Sequence, residues 1–150
     1  MHASDVIIRE MKIDDKTDVI EMMREFYSSP AVLSNGTEEI FLADVCACVG
    51  NCPFLEGFVF EKDGCVIGYA MISKGFSTES GKQRIFIEDL FVKEKYRRCG
   101  IGSEFFRFVD EKYKNCVIRL EAEKENQNAL NMYFKIGFDI LPYVQLMKNE

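Results

Sequence analysis

The chain has no tryptophan, and its only histidine among 150 residues is His2. The 13 phenylalanines and 6 tyrosines must therefore supply the large apolar side chains of a core. This single histidine stands at the start of the chain, away in sequence from every cysteine, so the sequence offers no nearby histidine for a zinc site or as the base of a nucleophilic cysteine. Histidine-based metal and cysteine chemistry is thus disfavoured from the start.

Long apolar runs and a secretion-type leader are also absent. No uninterrupted apolar stretch approaches the roughly 20 residues that a transmembrane helix needs, and the first residues lack a basic and an apolar region. We therefore expect a cytoplasmic protein with no membrane partner. We also expect one domain over residues 1–150, because no linker or repeat interrupts the sequence.

The chain has fewer positively than negatively charged residues. Nineteen Lys and Arg residues stand against 25 Asp and Glu residues, which gives a net charge of −6 and a pI near 5.0. Such a chain is a poor candidate for binding a nucleic-acid backbone. It is compatible with a cationic small substrate, although a charge of this size also serves solubility.

Six cysteines occur, three of them clustered as Cys46, Cys48 and Cys52. Their Cys-x-Cys-x-x-x-Cys spacing differs from the paired Cys-x-x-Cys of structural zinc sites. We predict buried free thiols and no metal site, since disulfides are uncommon in a reducing compartment.

The apolar pattern predicts an α/β domain with a mixed sheet. The order is a strand, two helices, three strands, a helix, a strand, a helix and one or two final strands. The segments are strands at 6–11, 57–61, 65–72, 85–92 and 117–123, helices from a start at Asp14-Asp15 to Tyr27, 37–48, 101–113 and 126–136, and a last hairpin at 138–148 around Pro142.

The strongest chemical signal is the segment from Tyr96 to Ser103, Tyr-Arg-Arg-Cys-Gly-Ile-Gly-Ser, between a predicted strand and a predicted helix. Glycines allow close backbone approach, and the N-terminus of a helix presents unpaired N–H groups to an anion. Neither the P-loop pattern nor the dinucleotide Gly-x-Gly-x-x-Gly pattern is present. Taken alone, the segment is equally compatible with a turn that leads into a helix and has no ligand.

A second pattern follows about 24 residues later, Asn126-x-x-Ala129-x-x-x-Tyr133-x-x-x-Gly137-Phe138. With Arg97-x-x-Gly100-x-Gly102, it resembles the two signatures of the GNAT superfamily of N-acetyltransferases. The segments Phe86–Val92 and Gly100–Glu104 look most like those of the polyamine acetyltransferases. The resemblance implies a mixed, mostly antiparallel sheet of about six to seven strands flanked by about four helices.

The resemblance also implies acetyl-CoA as cofactor and assigns residues to it. Backbone groups of β-strand residues would pair with the pantetheine arm, backbone N–H groups of the glycine loop would hold the pyrophosphate, and the Asn126 segment would contact the rest of the cofactor. The residues are Leu90, Phe91, Val92, Arg97, Arg98, Cys99, Gly100, Ile101, Gly102, Ser103, Asn126, Asn128, Ala129 and Tyr133.

Glu88 and Tyr133 are the predicted catalytic pair. An amine acceptor arrives protonated because its pKa is about 10, so the reaction needs a proton acceptor, here Glu88. Tyr133 would protonate the leaving thiolate, and the acetyl group would pass directly between the two substrates. Neighbouring strand residues point to opposite faces, so only one of Glu88 and Asp89 should face the cleft unless a bulge intervenes. Alternative interpretations remain: a strand-end cap for the acidic pair, and a core position for Tyr133.

The acceptor is predicted to be a primary amine, possibly a polyamine or another small cation. Tyr27, Glu88 and Asp89 are the candidate substrate-binding residues, with further acidic residues expected nearby: Glu38, Glu39 and Glu79. The resemblance also implies a homodimer. A different class of function stays open at this point, an acyl-CoA-binding sensor or regulatory domain without catalysis.

Overall fold

The computed structural model describes residues 5–150 and contains five strands and four α-helices within that range. None of these helices is long and apolar enough to cross a membrane. The elements are β1 (Ile7–Glu10), α1 (Lys16–Tyr27), α2 (Glu38–Val49), β2 (Leu55–Lys62), β3 (Cys65–Ser77), β4 (Lys82–Val92), α3 (Ile101–Lys112), β5 (Val117–Leu120) and α4 (Gln127–Lys135), with short 3-10 turns at Ile13–Asp15 and Glu94–Tyr96.

Local chemistry explains two of the predicted boundaries. The Thr37 side chain accepts a hydrogen bond of 3.2 Å from the Ile40 N–H and caps α2, as expected for a threonine at that position. Asp63 and Gly64 join β2 to β3 with φ values of 51° and 79°, the backbone of a two-residue hairpin turn. Both predictions are confirmed.

The sheet follows chain order, β1-β2-β3-β4-β5. The first three pairings are antiparallel, whereas β4 and β5 run parallel and pair only from Arg84 to Ile87 on the β4 side. Beyond Ile87 the two strands separate. The β4 edge that faces β5 therefore has no strand partner in the described part of the chain from Glu88 to Val92.

Helices cover both faces of the sheet, and each face has its own core. The helices α1 and α2 pack on one face, and α3 and α4 pack on the other. In β2 the alternation is visible directly, because Val59 belongs to the first core while Phe58 and Phe60 belong to the second. The sheet thereby becomes a rigid central layer from which the site residues project.

The predicted hairpin at 138–148 is wrong, and so is the count of six to seven strands. Residues 139–150 form no strand and are all exposed, after Phe138 packs against the second core. The apolar residues of this segment therefore lie exposed and do not pack against the described sheet. The mixed, mostly antiparallel sheet and the four helices agree with the prediction.

Candidate active site

A cavity of about 930 Å³ opens where β4 and β5 separate. It is bounded by the loop after α1, the end of β4, the glycine loop with the start of α3, and α4. The lining residues are Phe26, Ser29, Pro30, Ala31, Leu90, Phe91, Val92, Glu94, Tyr96, Arg97, Arg98, Gly100, Ile101, Gly102, Ser103, Glu123, Glu125, Asn126, Asn128, Ala129, Met132 and Tyr133.

The N-terminus of α3 points its unpaired backbone groups at this cavity. Gly100 precedes the helix with φ 82° and ψ 10°, a left-handed conformation that favours glycine, and no side chain caps the helix there. The N–H groups of Ile101, Gly102 and Ser103 have no intrahelical acceptor in this position. Together with the helix dipole they suit a phosphate group.

The two arginines of the loop are arranged differently. Arg97 donates from Nε to the Val92 carbonyl over 2.7 Å, and its guanidinium lies 5.2 Å from the centre of the Phe91 ring. Arg98, exposed and with φ 62°, makes no hydrogen bond or ion pair within residues 5–150. Arg97 therefore fastens the loop to β4, and Arg98 presents a free positive charge at the cavity.

Cys99 is the one predicted cofactor residue whose side chain turns away. It does not line the cavity; it packs against the second core, and its thiol contacts the Arg97 carbonyl at 3.4 Å. Any contribution of Cys99 to the cavity comes from its backbone.

The second sequence signature forms the opposite wall. The Asn126 side chain accepts from the Ala129 N–H at 3.3 Å and so caps α4. The helix approaches α3 closely at Gly102, where a Cβ would lie 3.2 Å from the Met132 sulfur. This small residue allows α3 and α4 to enclose the cavity between them.

Tyr133 is half-buried and lies against the rings of Phe106 and Phe138, at centroid distances of 5.8 and 5.9 Å. Burial raises the pKa of its phenol above the ordinary value of 10. The group is therefore protonated at neutral pH and can act as a proton donor.

A smaller cavity of about 160 Å³ adjoins the first one and brings Glu88 together with Tyr133. Its lining includes three glutamates, Glu88, Glu121 and Glu123, and contains no Lys or Arg among the described residues. Seven residues line both cavities: Phe26, Ala31, Leu90, Glu123, Asn126, Ala129 and Tyr133. The small cavity is thus an acidic extension of the large one.

A β-bulge in β4 explains how the acidic pair is displayed. Met71 of β3 pairs with Asp89 and Ile72 pairs with Ile87, so Glu88 has no partner residue across the ladder. Glu88 is exposed and accepts a hydrogen bond of 2.6 Å from the Ser73 hydroxyl, whereas Asp89 is 3% exposed. Because Glu88 is an extra residue in β4, side chains no longer alternate strictly between the two faces of the sheet at this point. Glu88 and Asp89 are therefore not forced onto opposite faces.

Asp89 is held by two phenols. Tyr27 donates to one carboxylate oxygen at 2.9 Å, and Tyr69 donates to the other at 2.7 Å. Burial raises the pKa of Asp89 to about 6, against the lowering effect of both hydrogen bonds, and the charges of Asp44 and Glu88 raise it further. Asp44, on α2, likewise has a raised pKa because of burial and the nearby Glu88 charge.

The structure therefore brings most of the predicted site residues to one place; besides the Cys99 side chain, two residues are exceptions. Tyr27 and Asp89 line neither cavity and lie behind the wall, as a hydrogen-bonded pair. Glu38, Glu39 and Glu79 also lie elsewhere, which corrects the expectation that they are near the acceptor. Glu38 pairs with Arg24, and Glu79 accepts a hydrogen bond from Tyr143.

Sequence reasoning missed the acids that do line the small cavity, Glu121 and Glu123. It also missed Tyr69, whose hydroxyl donates the second hydrogen bond to the Asp89 carboxylate. The only available signal for the glutamates was their position directly after β5, where the chain leaves the sheet beside β4.

Comparisons with known proteins agree with this geometry. The profile of the Acetyltransferase (GNAT) family matches residues 19–138. Thialysine N-epsilon-acetyltransferase of Bos taurus is 32% identical over 145 residues, which cover 88% of this chain and 83% of that protein.

Two solved structures share the fold. A possible acetyltransferase from Clostridium difficile 630 superimposes with a TM-score of 0.82 at 21% identity, covering 97% of both chains. The aminoglycoside N-acetyltransferase AAC(6')-Iy, solved with a bisubstrate analogue containing CoA, has a TM-score of 0.77 at 19% identity and covers 97% of this chain and 98% of its own.

The chain belongs to the GNAT acetyltransferase family. It is accordingly an enzyme, an N-acetyltransferase that uses acetyl-CoA. Nothing in these relationships supports the alternative of a regulatory domain without catalysis.

Proposed function

We propose that the protein transfers the acetyl group of acetyl-CoA to a primary amine of a small cationic acceptor. The observation that carries this proposal is the small cavity beside Tyr133, lined by three glutamates and by no Lys or Arg. Carboxylates that converge on a partly desolvated cavity attract an ammonium group more strongly than they would in bulk water. The name of the bovine relative, which specifies an ε-amino group, is in line with such an acceptor.

The large cavity fits acetyl-CoA on three features of this chain. The free β4 edge from Leu90 to Val92 offers backbone groups to an extended pantetheine arm, as an added strand would. The N-terminus of α3 and Arg98 offer N–H donors and positive charge to the pyrophosphate. Asn128 and Ala129 line the opposite wall for the remainder of the cofactor.

Acetyl-CoA supplies the acetyl group as a thioester, and two residues of the chain handle the protons. The Glu88 carboxylate accepts a proton from the ammonium group and leaves a neutral amine. As the nitrogen bonds to the acetyl carbon and the C–S bond breaks, Tyr133 would donate its phenolic proton to the leaving sulfur, and the second proton that the nitrogen loses on forming the amide would restore the phenol. Both residues line the small cavity, which is compatible with direct transfer between substrates that are held together.

Tyr27 and Asp89 contribute to acceptor binding without lining either cavity. With both oxygens hydrogen-bonded and 3% exposure, Asp89 acts on the acceptor through its charge, and Tyr27 keeps the carboxylate in place. Contact with the ammonium group is assigned to Glu88.

Three broader statements belong to the same proposal. Residues 1–150 act as one catalytic domain, since the site draws on elements from α1 to α4. The protein works in the cytoplasm, in line with six cysteines that are all free, although Cys46 and Cys65 are exposed and the prediction of buried thiols is wrong for them. It works as a homodimer, as the resemblance to this family implies.

Exchange of Glu88 for glutamine tests the proposal, because Glu88→Gln keeps the shape and removes the charge. We expect kcat/KM for a diamine such as 1,4-diaminobutane to fall by about 100-fold, within the usual range for a general base. Release of free CoA is the measurement, with butylamine and 1-butanol as a monoamine and a neutral comparison.

Glu39→Gln serves as the matched control, because Glu39 is exposed on α2 and lines neither cavity. It should behave as wild type. An unchanged rate in Glu88→Gln with every amine would show that Glu88 neither binds the ammonium group nor accepts its proton. Acetylation of 1-butanol as fast as of the amines would contradict a cationic acceptor.

A further inference from the structure

Arg84 of β4 has a buried side-chain nitrogen without a hydrogen-bond partner. Its Nε is the one buried side-chain nitrogen or oxygen within residues 5–150 that accepts or donates no hydrogen bond. The terminal nitrogens of the same guanidinium also make no hydrogen bond or ion pair in this range. Because a buried donor without an acceptor is costly, Arg84 is suited to an acceptor atom that the chain itself does not supply.

Gly75 leaves the space in which the Arg84 guanidinium lies. The two residues pair across the ladder between β3 and β4. A Cβ at Gly75 would lie 2.8 Å from the Arg84 Nη2 and 3.4 Å from its Cζ. Any other residue at this position would therefore displace the guanidinium, as expected where glycine in a strand permits close approach.

Arg84 lies on the sheet face that α1 and α2 cover further along the strands. Ile85 and Ile87 belong to the second core, so the alternation of β4 places Arg84 and Phe86 on the other face. The first core, which lies on that face, extends along β3 only as far as Met71. This end of the face is therefore not covered by a buried apolar core, and Arg84 and Phe86 are half-buried.

A second arginine lies beside them. Arg119 of β5 pairs with Phe86, and both of its neighbours in β5 belong to the second core, so Arg119 is on the same face as Arg84. Arg119 makes no hydrogen bond or ion pair within residues 5–150. Glu79 raises the pKa of Tyr143 and Arg119 lowers it, so part of the Arg119 charge acts on these two side chains.

Glu88 stands at the other side of Phe86 on the same surface. Ser73 pairs with Phe86 across the ladder, and its hydroxyl donates to the Glu88 carboxylate over 2.6 Å. Arg84 and Glu88 are four residues apart in β4, which is about 13 Å in a regular strand and less with a bulge. Neither Arg84 nor Arg119 lines the two cavities, so an acceptor that reaches them extends out of the small cavity along the sheet.

We propose that Arg84, assisted by Arg119, binds a carboxylate at the far end of the acceptor, which makes the acceptor an ω-amino carboxylic acid. This inference rests on the proposed function, because it takes the reacting amine to lie at Glu88. A guanidinium binds a carboxylate through two parallel hydrogen bonds, and one of these gives the Arg84 Nε its missing acceptor. An aliphatic chain of about five carbon atoms over Phe86 suits the spacing once both side chains turn towards each other.

Three acceptors of one length test the proposal on the full chain, with release of free CoA as the measurement. 6-Aminohexanoate carries the carboxylate, 6-aminohexanamide replaces it by a neutral group of the same shape, and hexylamine has neither. For the wild type, kcat/KM with 6-aminohexanoate should exceed kcat/KM with the amide by about 10-fold, mainly through KM, as expected for a hydrogen-bonded charge pair.

Variants of the two arginines should reduce this preference to different extents. Arg84→Gln should bring the ratio of the two kcat/KM values to about 1, because it removes the charge and the Nε donor. Arg119→Gln should lower the ratio by about 3-fold, as for one partly engaged surface charge. Arg107→Gln is the matched control and should keep the wild-type ratio, because Arg107 is exposed on α3 and pairs with Glu104 at 2.7 Å.

Hexanoate, which has the carboxylate and no amine, gives a measurement that needs no variant. It should inhibit acetylation of hexylamine by the wild type at least about 10-fold more strongly than 1-hexanol does. Equal kcat/KM values of the wild type for the acid and the amide, or equal inhibition by hexanoate and 1-hexanol, would overturn the carboxylate site. So would a preference for the acid that persists when both arginines are glutamine. Failure to acetylate any of the three amines would instead overturn the proposed function, and the carboxylate site with it.

Discussion

The two sides of the active-site cleft are built in different ways. The cofactor side consists of three continuous stretches, Leu90–Val92, Arg97–Ser103 and Asn126–Tyr133, and it works largely through backbone groups. The acceptor side collects single side chains from α1, β3, β4 and the segment after β5. Recognition through the backbone needs a particular local conformation and therefore leaves a sequence pattern. Recognition through scattered side chains does not.

The electrostatics of the two sides differ as well. The cofactor side has the N-terminus of α3 and the free charge of Arg98, both of which suit an anion. The acceptor side has Glu88 at the surface and Asp89 buried behind it, with Asp44 near enough to raise the pKa of Asp89. One cleft thus offers positive potential to the phosphates and negative potential to the ammonium group.

Removal of the Tyr133 hydroxyl should have the largest effect and should separate chemistry from binding. In Tyr133→Phe the packing against Phe106 and Phe138 is retained, but the proton donor is lost. We expect kcat to fall by roughly 10- to 1,000-fold. Affinity for CoA, measured by calorimetry, should change little.

Tyr113→Phe is the control for loss of a phenol. Tyr113 donates to Glu56 and lines neither cavity. It should lower stability without lowering kcat. If Tyr133→Phe is fully active, Tyr133 is a core residue and the thiolate obtains its proton elsewhere.

Neutralising Asp89 should change the pH dependence of stability. The folded pKa of about 6 lies above the unfolded value of about 3.9, so the folded state holds its proton more tightly. The contribution of Asp89 to the free energy of unfolding therefore falls as pH rises from 4 to 7. Relative to wild type, Asp89→Asn should gain roughly 2 kcal/mol across this range, measured by urea denaturation.

Asp15→Asn provides a control of opposite sign. The hydrogen bonds from Arg9 lower the pKa of the buried Asp15, so its contribution to stability is present at neutral pH and is lost on acidification. This variant should lose stability relative to wild type as pH rises. Parallel pH curves for wild type and Asp89→Asn would show that Asp89 is charged across the whole range.

These contrasts explain what the sequence could predict. The order of the elements up to α4, the cap at Thr37 and the turn at Asp63-Gly64 follow from local periodicity and turn chemistry. The glycine loop at Gly100 and the Asn126 segment carry family patterns, and the structure brings both to one cavity. At these places the conformation that the local sequence favours is the one found in the fold.

The remainder depends on contacts between distant parts of the chain. The bulge at Glu88 is a mismatch in register with β3, which the β4 sequence does not encode by itself. The phenol of Tyr69 reaches Asp89 only because the two strands pair. The final hairpin failed for a related reason: apolar alternation predicts a strand but does not specify which edge it pairs with.

The smallest expected effect distinguishes the two arginines of the cofactor loop. Arg98 lines the cavity with a guanidinium that has no hydrogen bond or ion pair among residues 5–150, whereas Arg97 is hydrogen-bonded to Val92 and lies near Phe91. Arg98→Ala should weaken CoA binding by about 10-fold, typical of one exposed contact to a charged group. The loss should shrink at high salt, because an exposed charge is screened.

Arg97→Ala should instead weaken the attachment of the glycine loop to β4. Loss of the bond to the Val92 carbonyl removes about 1 kcal/mol of stability, and the affinity for CoA should fall by less than about 3-fold with little dependence on salt. Calorimetry of both variants at low and high salt gives the comparison. Equal, salt-independent losses in the two variants would show that neither charge touches the phosphates. The anion would then be held by the backbone N–H groups of Ile101, Gly102 and Ser103 alone, and the positive potential of the cofactor side would come from the helix rather than from its arginines.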